Sequence, residues 1–188
     1  MEANVMGENI KPAKGPQYDY QYRNLNSPKV YYDENQSRLT INYRSAFVRL
    51  ALYYNNVEKN AERAKQILAR MDQVIPMDVM EFDWRLAADV MSFYSRLGVK
   101  DQYEKYSKYL ERKCWDLVNA NQAEMNSYYN PYRILLEIYD YRQDYTKAID
   151  VLNRVSVYYP NDQGIKSRIV DLQSKQKLAG SQKDTTNK

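Results

Sequence analysis

Few residues in this sequence could carry acid–base, nucleophilic or metal chemistry. The chain has 188 residues, no histidine and a single cysteine, Cys114. Without histidine, neither an imidazole-based catalytic triad nor an H-E-x-x-H zinc site can form. One cysteine allows no intrachain disulfide and no C-x-x-C metal site. The five glycines form neither a G-x-G-x-x-G nor a Walker-type loop, so we expect no cofactor.

The nearest candidates for carboxylate chemistry are the acidic pairs Asp33–Glu34 and Glu81–Asp83. General acid–base catalysis by two carboxylates requires them to converge across a pocket. Acidic residues at the start of a helix more often interact with its dipole, and Asp33 or Asn35 could cap the first helix. We therefore predict that the chain is not an enzyme and holds no metal. An enzyme with an all-carboxylate or lysine-based site is the alternative from another class.

The charge pattern indicates which partners to expect. The net charge is +4, from 28 basic and 24 acidic residues, and most of the excess lies in residues 162–188. Binding to a phosphate backbone requires clustered Lys and Arg, and the rest of the chain has no dense basic stripe. We expect no nucleic acid partner.

Hydropathy gives an expectation about the compartment. No apolar run approaches the ~18 residues that suggest a transmembrane helix, and residues 1–16 lack the apolar core of a secretory signal. Taken alone, these features predict a cytoplasmic protein. The prediction would not apply to a soluble piece of a longer protein.

The elements that must position any site are helices. Residues 1–35 are interrupted by prolines and Gly15, and are predicted to be an extended N-terminal arm. Residues 36–177 are predicted to be a helical domain of about seven helices, because apolar residues recur at spacings of three and four. Apolar residues at these spacings form one face of each predicted helix, and the first such face begins at Leu39. Residues 178–188 are predicted to be a disordered tail.

An internal repeat predicts how these helices pair. The two units are Phe47-x2-Leu50-Ala51-x2-Tyr54, Ala64-x3-Leu68, Pro76, and Tyr132-x2-Leu135-Leu136-x2-Tyr139, Ala148-x3-Leu152, Pro160. This order resembles the tetratricopeptide pattern, in which large residues of the first helix pack against a small residue of the second. A degenerate unit lies between them, from Ala87 to Ser107. We predict an all-α, tetratricopeptide-like array of helical hairpins; a generic helical bundle is the alternative.

Twenty tyrosines are unusual for this length. They could form an aromatic binding surface, or they could pack the grooves between helices and dock the arm. We expect Tyr22, Tyr31 and Tyr32 to pack on the first hairpin near Tyr43 and Phe47.

Four short motifs carry a resemblance to a known family. They are Tyr22-Arg23-x-Leu25-Asn26, Val30-Tyr31-x-Asp33-Glu34, Asn42-Tyr43-Arg44 and Asn130-Pro131-Tyr132-Arg133. Over residues 18–175 the chain resembles the soluble C-terminal region of bacterial multi-pass membrane proteins described as protein O-mannosyltransferase-like. The resemblance implies an extracytoplasmic helical module on the inner membrane, attached to a membrane-embedded glycosyltransferase. The catalytic carboxylate of such enzymes lies between early membrane helices, which this sequence lacks, so no catalytic residue is carried over.

The predicted function is that of a non-catalytic protein-interaction or accessory module. Its partner would be another protein or a membrane-embedded domain of the same polypeptide. The alternative is a stand-alone cytoplasmic tetratricopeptide-like adaptor that holds a peptide. The predicted partner-binding residues are Tyr31, Tyr32, Asp33, Tyr43 and Arg44.

Arg44 is the residue on which this site prediction depends. Its planar donor fork suits a carboxylate, and the neighbouring tyrosine rings offer rigid contact area. In one interpretation Arg44 pairs internally with Asp33 or Glu34 and locks the arm onto the first helix. In the other, this edge of the domain faces the membrane domain or its glycan-acceptor complex.

Overall fold

The computed structural model describes residues 5–6, 22–123 and 125–185, with side chains described as far as residue 179. This part of the chain is all-α, as predicted: 72% of it is helical and it contains no strand. The helices are α1 (Glu34–Asn56), α2 (Ala61–Val74), α3 (Trp84–Arg96), α4 (Lys100–Asn119), α5 (Pro131–Arg142), α6 (Tyr145–Tyr158) and α7 (Gln163–Thr185).

The chain divides into two compact units, Met1–Tyr103 and Glu104–Lys188. In the first unit α1 packs against α2, and in the second unit α6 packs against both α5 and α7. The boundary falls in the first turn of α4, inside the region that the sequence predicted as one helical domain.

Short polar side chains determine where the helices begin. Asp33 accepts a hydrogen bond from the backbone N–H of Gln36, and the Gln36 side chain accepts one from the backbone N–H of Asp33, which completes a capping box. The helix therefore starts at Glu34, two residues before the predicted boundary. Asn130 caps α5 ahead of a proline at its first position, where a missing N–H costs nothing.

The two repeat units coincide with the hairpins α1–α2 and α5–α6. Ala64 and Ala148 are fully buried, consistent with a small residue at a close helix contact. Pro76 and Pro160 each lie two residues beyond the last residue of the second helix. The repeat therefore gives the correct pairing of these four helices.

The buried stripe of α1 differs from the predicted one. Leu39 is 58% exposed, whereas the polar residues Thr40 and Arg44 are buried in line with Phe47 and Ala51. An apolar pattern cannot identify this face, because two of its members are polar and are buried through the hydrogen bonds they make.

The described parts of the two predicted terminal segments contain helix and turns. Helix α7 continues to Thr185, through most of the predicted disordered tail; only residues 186–188 lie outside the description. In the predicted extended arm, residues 23–26 and 28–29 form turns, and Val5 and Met6 are helical and buried.

Candidate partner-binding groove

Arg44, predicted to bind a partner, lies in the core of the first unit with 0% exposure. Its Nη1 donates to the carbonyl of Glu81 at 2.7 Å, and its Nη2 donates to the carbonyls of Met80 at 2.8 Å and Ile75 at 3.2 Å. The guanidinium carbon also lies 4.0 Å from the ring centroid of Phe82. One side chain on α1 thus binds three backbone carbonyls of the connection between α2 and α3.

This geometry corrects the expected role of Arg44. A fully buried guanidinium cannot contact an external carboxylate while the unit stays folded. The internal alternative also differs from expectation, since the arginine binds backbone carbonyls of residues 75–81, and Asp33 caps α1. Arg44 acts on the surface indirectly, by fixing the backbone of Met80 and Glu81.

Only one of the three tyrosines expected to dock on the first hairpin is seen there. The ring of Tyr22 lies 5.8 Å from that of Tyr43, edge to face, and 5.4 Å from that of Phe47. Tyr31 is instead 88% exposed. Tyr32 is half-buried, and its hydroxyl donates to the carbonyl of Arg23 at 3.5 Å.

The exposed tyrosine stands at an open groove of about 360 Å³. Its lining consists of Pro28, Lys29, Val30, Tyr31, Tyr32, Ser37, Val79, Met80 and Glu81. One wall is therefore the arm, and the other is the connection whose carbonyls Arg44 holds. Of the five predicted site residues, the structure places Tyr31 and Tyr32 in the groove, Asp33 beside it, Arg44 behind its wall and Tyr43 under Tyr22.

The groove has groups for binding a peptide. Its charged members are Lys29 and Glu81, and Tyr31 and Val30 add apolar surface. One carboxylate of each acidic pair has a structural role: Asp33 caps α1, and Asp83 accepts the backbone N–H groups at the start of α3. Among residues 5–6, 22–123 and 125–185, no group of three potential metal-ligating side chains is close enough to hold an ion.

The second unit contains a polar network that sequence reasoning missed. Arg142 at the end of α5 donates to Glu104 at 2.9 Å, to Glu111 at 2.6 Å and to Ser107 at 2.7 Å. Lys147 adds a bond of 2.9 Å to Glu111. Arg142 and Lys147 lie more than thirty positions from these partners in the sequence, so no local motif predicts the network.

Tyr139 extends this network to an aromatic residue. Its hydroxyl donates to Glu111 at 2.9 Å and accepts the indole N–H of Trp115 at 2.8 Å. Burial raises the pKa of Tyr139, and so do its hydrogen bond to Glu111 and the negative charges of Glu111 and Asp144; together they outweigh the hydrogen bond from Trp115, which lowers the pKa. All polar atoms named here are satisfied within the network, which is the arrangement of a structural cluster.

Within the portion that the structure describes, no helix combines the length and apolar character needed to cross a bilayer. No family model, curated protein or solved structure matches this chain.

Proposed function

We propose that this chain is a non-catalytic helical module that binds a protein segment in the groove between Tyr31 and Glu81. The observation that carries the proposal is the position of Tyr31, a large aromatic side chain that is 88% exposed at the rim of a groove. Tyrosine combines apolar area with a hydroxyl and is enriched at protein interfaces.

The buried arginine supports this proposal. A wall held by three hydrogen bonds from Arg44 loses little freedom when a ligand binds, and such preorganisation lowers the entropic cost of association. The carbonyls of Met80 and Glu81 are fixed from within, so the outer face of this segment keeps one shape.

The partner we propose is the membrane-embedded part of a bacterial glycosyltransferase, in the same polypeptide or in a complex. The support is the resemblance over residues 18–175, whose motifs include Tyr31 and Arg44. In this proposal the module lies on the extracytoplasmic face of the inner membrane. Its tetratricopeptide-like character is supported by the order of residues in the two repeat units.

A photo-crosslinking amino acid at position 31, introduced in the native cells, tests the proposal. We expect a discrete adduct in the membrane fraction, which mass spectrometry assigns to a membrane-embedded transferase segment. The same amino acid at Tyr141, which is 40% exposed in the second unit, is the matched control and should not give this adduct. Identical products from both positions, or none from position 31, would overturn the groove as the binding site. A soluble partner would favour the cytoplasmic adaptor.

A further inference from the structure

Val5 and Met6 are buried although they belong to none of the seven helices α1–α7. They are 4% and 6% exposed. The hydroxyl of Tyr22 donates to the carbonyl of Val5 at 2.6 Å, and Nε of Arg70 donates to the carbonyl of Met6 at 3.2 Å. The side chains of Tyr22 and Arg70, which are distant in the sequence, therefore donate hydrogen bonds to two consecutive backbone carbonyls.

Both donors are also held by residues other than the bound pair. Tyr22 packs its ring against Tyr43 and Phe47. The Nη1 of Arg70 donates to the side chain of Gln73 at 2.9 Å, one turn further along α2. A site whose donors are placed by such neighbours is preorganised for a ligand.

We infer that Tyr22 and Arg70 form a second binding site, for a short apolar peptide segment, which Val5–Met6 fills in cis. The ligand chemistry follows from the contacts: two adjacent aliphatic side chains that become buried, and two consecutive carbonyls that accept hydrogen bonds. Carbonyl recognition does not depend on side-chain identity, so a partner segment of this kind can take the place of Val5–Met6.

The covalent link between Val5–Met6 and Tyr22 determines how strongly a partner must bind to displace Val5–Met6. Fifteen residues separate Met6 from Tyr22 in the sequence, so Val5–Met6 competes intramolecularly, at an effective concentration that depends on this covalent link. A partner must exceed this value or bind additional surface. Neither Tyr22 nor Arg70 lines the groove at Tyr31, so the inference goes beyond the proposed function and can fail separately.

Thiol labelling of the full-length Met6→Cys protein tests the inference. The native thiol Cys114 is buried and its pKa is raised to about 12 by burial, so it gives little background. We expect the new thiol at position 6 to react about tenfold or more slowly than one in Leu178→Cys, because labelling of a buried group requires local opening. Leu178 is 66% exposed on α7 and is the matched control.

A peptide with the sequence of residues 2–9 should then accelerate labelling at position 6 in a saturable manner. The same peptide with both Val5 and Met6 replaced by Asp should not. Arg70→Gln should raise the basal labelling rate and weaken the response to the peptide.

Two outcomes would overturn the inference. If position 6 labels as fast as the control, the segment is not held. If it labels slowly and millimolar peptide has no effect, the segment is a permanent part of the core and no exchangeable site exists. Should Met6→Cys lose helical circular dichroism, Val5→Cys provides the same measurement one residue earlier.

Discussion

The guanidinium of Arg44 lies over the ring of Phe82, with its central carbon 4.0 Å from the ring centroid. A buried positive charge is costly unless it is compensated, and here the ring face adds a cation–π interaction to three carbonyl hydrogen bonds. The charge is thus compensated by the backbone and an aromatic ring, and the α2–α3 connection depends on it.

Replacing Arg44 by alanine should destabilise the first unit by about 3 kcal/mol or more, because buried carbonyls that lose their donors cost ~1–3 kcal/mol each. Arg44→Lys should recover only part of this loss, since an ammonium lacks the planar fork. Urea denaturation followed by circular dichroism measures both. The control is Arg49→Ala, an exposed arginine on the same helix; equal losses for residues 44 and 49 would contradict the assignment.

Tyr22 and Tyr31 should differ sharply in their effect on stability. Tyr22→Ala removes two aromatic contacts, each worth ~0.5–1.5 kcal/mol beyond area burial, so we expect a loss of about 1–3 kcal/mol. Tyr31→Ala should leave the melting temperature unchanged, because its side chain is exposed. Thermal denaturation of the two variants measures this difference. Tyr22→Phe, which keeps the aromatic ring at position 22, is a further control. A melt unaffected by Tyr22→Ala would show that the segment at Tyr22 does not stabilise the body.

Helix spacing and small residues made much of the fold predictable from the sequence. Ala64 and Pro76 mark one hairpin, and Ala148 and Pro160 mark another. A close helix contact leaves no room for a large side chain, and proline has no N–H to continue a helix, so both constraints are visible in the residue types themselves. The burial of Arg44 was not predictable in this way. Its partners are backbone carbonyls of residues 75–81. Every residue has a backbone carbonyl, so the residue types in the sequence do not identify these partners.

Only two of the predicted partner-binding residues line the groove, and its other wall was not predicted because it is distant in the chain. Tyr31 and Tyr32 do line a groove, but its opposite wall comes from Val79, Met80 and Glu81, which stand almost fifty positions away. No spacing rule links the two segments, and only the fold around Arg44 brings them together.

Enlarging the buried alanines should strain the two hairpins. Ala64→Leu and Ala148→Leu each insert a bulky side chain where the native one is fully buried, and overpacking of this kind costs ~1–3 kcal/mol. Chemical denaturation of each variant provides the measurement. Ala61→Leu, at the exposed start of α2, is the matched control and should be close to neutral. Neutral results at positions 64 and 148 would mean that neither alanine lies at a close helix contact.

Cys114 should be unreactive in the folded protein. Burial raises its pKa from 9.0 to about 12, so almost no thiolate forms at pH 8, and the thiolate is the nucleophile. Titration with a thiol reagent should give no rapid reaction in buffer and one equivalent in denaturant. Fast labelling of the native chain would show that the centre of α4 opens readily.

Glu111 should make the second unit sensitive to acid. Burial opposes its ionisation, but hydrogen bonds from Lys147, Arg142 and Tyr139 outweigh this effect and lower its pKa below 4.5. A carboxyl whose folded pKa is depressed contributes stability that is present above the unfolded pKa and is lost as the pH falls through the folded pKa. The stabilisation should therefore be complete at pH 7 and decline below about pH 4.5, taking the ordinary glutamate value as the unfolded reference.

The comparison of Glu111→Gln with the native chain isolates this contribution. The amide keeps the size of the side chain but cannot ionise, so the variant should be less stable at pH 7, and the difference should shrink as the pH falls below about 4.5. Asp116→Asn, which changes an exposed carboxylate on the same helix, is the matched control for removing one carboxylate from α4. Urea midpoints measured at half-unit pH intervals provide the test. A difference that stays constant across this range would show that Glu111 acts through packing and neutral hydrogen bonds, because only a group that titrates differently in the folded and unfolded states produces a slope.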